Sequence, residues 1–312
     1  MTANFKNTSS VGDILVRGKP VLANVVDKVS SVTIDMSVDQ VTELTFVIDD
    51  PQFKLLKAGM FDKNTPVTYR GFPLTVAVIE TGAGGGLGGL TIRCRPAAVA
   101  KLKKIRGKYV MKKVSAGTYI KAECARAGIP APVIQSSVVK PQIARDVAQK
   151  GVRYDQSNYP SAWTTMQRLA SELNYMLYEI GGVIYFGKPE WLVDKKPKVN
   201  VTWYSDDGKE PFSIPEFRES IDSTDIELSL ELPLSRSGTV FPGYGITLSG
   251  FPKYGGTYFI RSVSYPLAGT GTISIVASTV KSPKAQKSGE QGNNNAWKPK
   301  GVGDGLIGGP VG

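Results

Sequence analysis

The chain has 312 residues, room for about two domains each with its own core, and 38 Lys and Arg against 27 Asp and Glu give it a net charge of +11. Histidine is absent, which excludes Ser-His-Asp and Cys-His catalysis, HExxH zinc helices and His-ligated haem or iron. The two separated cysteines, Cys94 and Cys124, are too few for a thiolate cluster or a disulfide scaffold, so they read as small core residues, and no metal or cofactor is expected.

The first ten residues lack the apolar stretch of a secretion signal, and no run approaches the ~18 apolar residues of a membrane helix. A soluble, non-exported chain is expected. From residue 11 to 98, short runs rich in Val, Ile, Thr and Phe alternate with turn residues. Residues 32–37 and 44–48 alternate with period two, which sends one face inward and the other outward. A helical signal follows at 53–58, then strands at 67–70, 74–80 and 90–95, with a turn at Gly71, Phe72 and Pro73. Six or so short strands at this spacing suit a small barrel or sandwich.

Helical periods appear between residues 97 and 218. Ser115 is placed to cap a helix running to Arg126, with Gly128 and Pro130 as its stop. After Pro160, the residues Trp163, Met166, Leu169, Ala170 and Leu173 form one apolar stripe. A hairpin follows, residues 175–180 and 183–187 around Gly181 and Gly182, a pair that tolerates positive φ at both positions. Strand texture returns at 226–232, 245–250, 257–264 and 272–279. Residues 282–312 hold too little apolar surface to offset the entropy of ordering them and read as a tail, with Trp297 as its docking anchor.

The expected fold is mainly β with an α+β insertion. Its parts are a β-barrel domain at 1–105, a helix-plus-hairpin α/β domain at 106–218, a second barrel-like unit at 219–281 and a flexible tail at 282–312.

Three motifs carry possible chemistry. Gly84, Gly86 and Gly89 satisfy GxGxxG, but a strand follows where a phosphate-binding helix should begin, so the stretch reads as a hairpin loop. The pairs Asp49-Asp50 and Asp206-Asp207 are composed like turns and lack calcium-loop spacing. Residues 101–113 hold seven cations, Lys101, Lys103, Lys104, Arg106, Lys108, Lys112 and Lys113, interleaved with Leu102, Ile105 and Tyr109. This cluster could face an acidic partner or DNA; the plainer reading is a solvated connection pinned to the first β domain by its three apolar residues.

The order of these features resembles a known family. The likeness rests on the opening β domain with its Leu44-Thr-Phe-Val-Ile-Asp-Asp and Phe72-Pro-Leu-Thr-Val-Ala-Val-Ile-Glu strands, the helix and hairpin from Trp163 to Pro189, and the closing unit from Phe241 to Tyr265. These stretches resemble the tail hub, or baseplate hub, proteins of long-tailed bacteriophages, which are related to the hub half of type VI secretion spike proteins. The resemblance implies a homotrimeric ring at the distal end of the tail tube. Such a ring meets a tube or distal tail protein above and a central spike or tip protein below, and it forms a channel for the genome. Many members of that family carry an appended lysozyme or peptidase domain; none is expected in this chain, and no enzymatic activity is expected of it. Two other readings stand beside it: a cell-wall hydrolase working through carboxylates, and a nucleic-acid module led by the basic cluster.

Overall fold

The computed structural model describes residues 13–20, 27–82, 89–145, 160–202, 214–220, 223–251, 253–267 and 271–280. Among them, no helix is long and apolar enough to cross a membrane. The chain is mainly β with an α/β insertion, as its strand patterns require.

The opening β unit contains β1 (Ile14–Val16), β2 (Val29–Ser37), β3 (Glu43–Asp49), β4 (Pro66–Tyr69), β5 (Phe72–Thr81) and β6 (Gly89–Pro96). They pair antiparallel in the order β1-β4-β5-β6-β3-β2. In β3 the burial alternates residue by residue, with Leu44, Phe46 and Ile48 inward, so the period-two pattern of the sequence is the pleat itself. The turn between β4 and β5 lies one residue earlier than expected. Arg70 and Gly71 form it, both at positive φ (47° and 83°), and Phe72 and Pro73 already belong to β5.

A short helix, α1 (Lys54–Lys57), sits between β3 and β4. Its N-terminal amides are satisfied from outside the helix: the Asp50 carboxylate accepts hydrogen bonds from the Lys54 and Leu55 amides at 2.8 and 2.9 Å. Asp50 is thus a capping group, as the turn-like reading of Asp49-Asp50 anticipated. The strands β5 and β6, on either side of the glycine-rich stretch, pair antiparallel up to Thr81 and Leu90; residues 83–88 themselves lie outside the described residues, as does Asp206-Asp207.

The insertion begins with α2 (Ala97–Lys104), then β7 (Val110–Ser115), α3 (Ala116–Arg126), β8 (Val133–Ile134), β9 (Val139–Ala144), α4 (Ala162–Leu173), β10 (Met176–Ile180), β11 (Val183–Gly187) and α5 (Pro189–Val193). The hydroxyls of Ser115 and Ser161 cap α3 and α4 by accepting from the Thr118 and Thr164 amides, each at 3.1 Å. Asn174 ends α4 at φ 51° in the left-handed region. The stripe Trp163, Met166, Leu169 and Ala170 is buried against α2, α3 and the sheet β10-β11-β8. Leu102, fully buried, belongs to this α/β core, with Ile105 and Tyr109 packed against it. The apolar residues of the basic segment therefore pin it to the α/β core rather than to the first β domain.

The closing unit holds β12 (Lys198–Thr202), β13 (Glu216–Ser220), β14 (Ser223–Pro233), β15 (Gly245–Ser249), β16 (Gly256–Pro266) and β17 (Thr272–Thr279). The strand β12 runs parallel to β15, so a strand from the middle of the sequence extends the closing sheet. The two β units are not separate sheets. Along one edge, β16 pairs first with β15 through residues 256–259 and then with β2 through residues 262–266. One twelve-stranded sheet results, backed by a single apolar core that runs from Ile14 to Ala277. At the joint Ile34, Met36, Val263 and Tyr265 are all buried, and the Tyr69 and Tyr265 hydroxyls meet at 3.3 Å across the two units. Each such side chain contributes about 1.5–3 kcal/mol on burial, so the joint is as firm as the interior of either unit.

Candidate functional site

The same alternation that buries Ile34 and Met36 turns Asp35 and Ser37 to the opposite face of β2, and sends Ser262 and Ser264 there from β16. That face forms a trough of about 1040 Å³ along the joint of the two units. Its charged lining is Asp35, Asp39, Glu43, Asp225 and Glu227 with Arg95, Arg218 and Arg261, two more acids than bases. The charges are tied across strands. Asp35 and Glu43 stand directly opposite on β2 and β3, a repulsive placement relieved because each has its own partner. The Ser264 hydroxyl donates to Asp35 at 2.5 Å, and Arg95 donates to Glu43 at 3.1 Å. Arg218 stands opposite Glu227 on β13 and β14.

Arg261 occupies the irregular point where β16 changes partners. Its guanidinium donates to Ser278 at 2.9 Å and to Asp39 at 3.0 Å, and its carbonyl accepts the Val38 amide at 2.9 Å. One residue thus joins β17, the end of β2 and its own strand.

The seven predicted cations are all exposed and spread over three elements: Lys101, Lys103 and Lys104 on the last turn of α2, Arg106 and Lys108 in the following loop, Lys112 and Lys113 on β7. Lys101 donates to the Gly128 carbonyl beyond the end of α3 at 3.2 Å, and Lys104 to Asn64 at 3.0 Å. None of the seven lines the trough. The charge is concentrated: residues 97–145 carry eleven Lys and Arg and one acid, Glu123, so +10 of the chain's +11 resides in this stretch. Trp297 lies outside the described residues.

Two buried groups escaped the sequence reading. Glu123 and Arg145 are both fully buried, 3.5 Å apart, with the Tyr119 hydroxyl donating to Glu123 at 2.8 Å. Arg145 Nε and Nη2 and Glu123 Oε2 have no hydrogen-bond partner. Glu179 on β10 is 7 % exposed and accepts the Gly182 amide; burial pushes its carboxyl up to about 7. It lies where the hairpin tip meets the first β unit: a Cβ on Gly182, at φ 85°, would stand 2.9 Å from Pro73. The Cys94 and Cys124 thiols are buried and pushed up to about 12, which suits inert core residues. Among the described residues no group of three acids or cysteines is placed to hold a metal ion.

No family model matches the sequence, and no curated protein matches it. Solved structures do. The tail protein of Neisseria meningitidis MC58 superposes with a TM-score of 0.55 at 12 % identity, over 83 % of this chain and 97 % of that one. The 43 kDa tail protein of prophage MuSo2 from Shewanella oneidensis gives 0.52 at 10 %, over 80 % and 93 %. An Escherichia coli component of the type VI secretion system, described as similar to the T4 bacteriophage tail proteins gp27 and gp5, gives 0.54 at 10 %, over 82 % of this chain and 74 % of its own. The mainly β architecture with its α/β insertion is therefore the fold of bacteriophage tail proteins and of a type VI secretion component, the group that the sequence resembles.

Proposed function

We propose that the chain is a structural protein of a bacteriophage tail, a hub that forms a homotrimeric ring at the distal end of the tail tube and joins the tube to a central spike or tip. The observation that carries this reading is the β2–β16 joint, which welds two β units into one sheet with a continuous polar face. A trimer must meet a tube built with six-fold symmetry, and a chain that offers two β units of similar texture supplies six contacts from three copies. In this reading residues 1–105 and 219–281 act as two barrel-like units related by about one sixth of a turn.

The trough lines the channel. Its excess of acids suits a wall past which DNA moves, since cations, not carboxylates, hold phosphates. The work is geometric and no catalysis is assigned. The test is the mass of the purified chain by light scattering together with the symmetry of native tails by electron microscopy. Three copies in one ring support the reading; a monomer in the tail, or sustained release of soluble fragments from peptidoglycan, overturns it.

A further inference from the structure

The tip of the β10–β11 hairpin is wedged against the start of β5. A Cβ on Gly181 would stand 3.2 Å from the Phe72 ring, and one on Gly182 would stand 2.9 Å from Pro73, so two glycines let the elements approach this closely. The contact has a small apolar cluster of its own, Met176, Tyr178, Ile180 and Tyr185 with Val38 and Phe259, apart from the core behind the large sheet. Behind the tip, Glu179 and Thr42 both line two cavities. One, of about 40 Å³, lies between the β2–β3 connection, α4 and β10; the other, of about 10 Å³, lies between the tip and β5. A water needs roughly 10–15 Å³ and polar partners, so the larger cavity can take up solvent. The buried Thr42 hydroxyl, which has no hydrogen-bond partner, is one such group. No lysine or arginine lines either cavity. The titratable groups around Glu179 are Asp39, which is held by Arg261, and the phenols of Tyr178 and Tyr185, the latter bound by Lys196. None of them supplies a counter-charge to an ionised Glu179.

We propose that Glu179 is a proton-operated latch between the α/β insertion and the first β unit: neutral, it lets the hairpin tip seat on Phe72 and Pro73, and ionised, it draws water into the two cavities and lifts the tip away. A charge with no counter-charge in a closed cavity is costly, and hydration through a local opening is the cheapest way to relieve it. Burial pushes the Glu179 carboxyl up to about 7, which places the change near neutral pH. The latch is shut below that point and opens above it. Because the tip rests on its own small cluster, it opens without unpacking the large sheet. The device lies within one chain and is independent of the hub reading.

The test is amide hydrogen exchange on the full chain at about pH 6 and pH 8, each rate corrected for the intrinsic chemistry of exchange. A short ribbon released from its support frays, so the amides of β10 and β11, with that of Gly182 that donates to Glu179, are expected to open roughly tenfold more often at the higher pH. Glu179→Gln keeps an acceptor for the Gly182 amide and removes the titration, and Glu179→Met fills the site with no titratable group at all; both flatten the response, so either variant suffices. The amides of β3, in the interior of the large sheet, exchange more slowly than the hairpin at both pH values. Three results each overturn the proposal: a parent whose hairpin protection is the same at both pH values, a Glu179→Gln variant that follows the parent's response, and a hairpin that exchanges at one common rate with β3, which makes the opening global.

Discussion

Arg261 donates to Asp39 at 3.0 Å across 222 residues of sequence, at the point where β16 leaves β15 and takes up β2. The arginine side chain is 22 % exposed and the aspartate 53 %, so solvent screens much of their attraction. A double-mutant cycle with Arg261→Ala and Asp39→Ala is expected to give a coupling of about 0.5–1 kcal/mol. The single change at Arg261 costs more than that at Asp39, because it also breaks the bond to Ser278. Denaturant melts of the four proteins measure both quantities.

The Glu123–Arg145 pair is the opposite case, with both side chains fully buried. Glu123→Leu leaves the guanidinium without its counter-charge and is expected to destabilise the chain by about 3–5 kcal/mol. Replacing both, with Arg145→Met added, recovers most of that loss, because the pair leaves three of its own polar atoms without hydrogen-bond partners. Urea unfolding of the single and double variants checks the ordering; a double variant no better than the single contradicts it.

Glu179 makes stability fall as pH rises. Its native carboxyl, raised to about 7 by burial, holds a proton that the unfolded chain has already released, so between about pH 4.5 and 7 the native state binds more protons. The stabilisation is present in full below that window and lost as pH climbs through 7, by an amount on the order of 3 kcal/mol. The substitution Glu179→Gln removes this dependence, so the melting temperatures of variant and parent, compared from pH 5 to 8, should diverge towards the alkaline end with the variant higher.

The Tyr178 hydroxyl is buried without a hydrogen-bond partner, and a Cβ on Gly243 would lie 2.2 Å from it. Tyr178→Phe is expected to stabilise the chain by about 1 kcal/mol by removing an unsatisfied polar group. Gly243→Ala should cost at least ~2 kcal/mol, from the clash and from the positive φ of 82° at that position. Thermal melts of the two variants give opposite shifts.

Local patterns made most elements legible. The period-two runs of β2 and β3, the capping serine of α3, the apolar stripe of α4 and the Gly181-Gly182 hairpin each follow from a few neighbouring residues. The helix α2 was hidden by its charge: Lys101, Lys103 and Lys104 at its end read as a wet connection, while Ala98, Val99 and Leu102 are what bury it. The trough was illegible for a different reason. Asp35, Glu43, Arg95, Arg218 and Arg261 are scattered singly through the sequence, and only the register of β2 on β16 brings them to one face. Arg145 gave no signal either, because its partner Glu123 is 22 positions away on another element.

In the proposed assembly, two welded β units of each chain build a trimeric ring around a channel, with the trough facing inward. A reconstruction of the native tail tests this most directly. The expected result is three copies, six β units at one height along the axis, and Asp35, Glu227 and Arg261 on the inner wall. Finding the two β units of a chain at different heights, or the trough turned away from the channel, would contradict it.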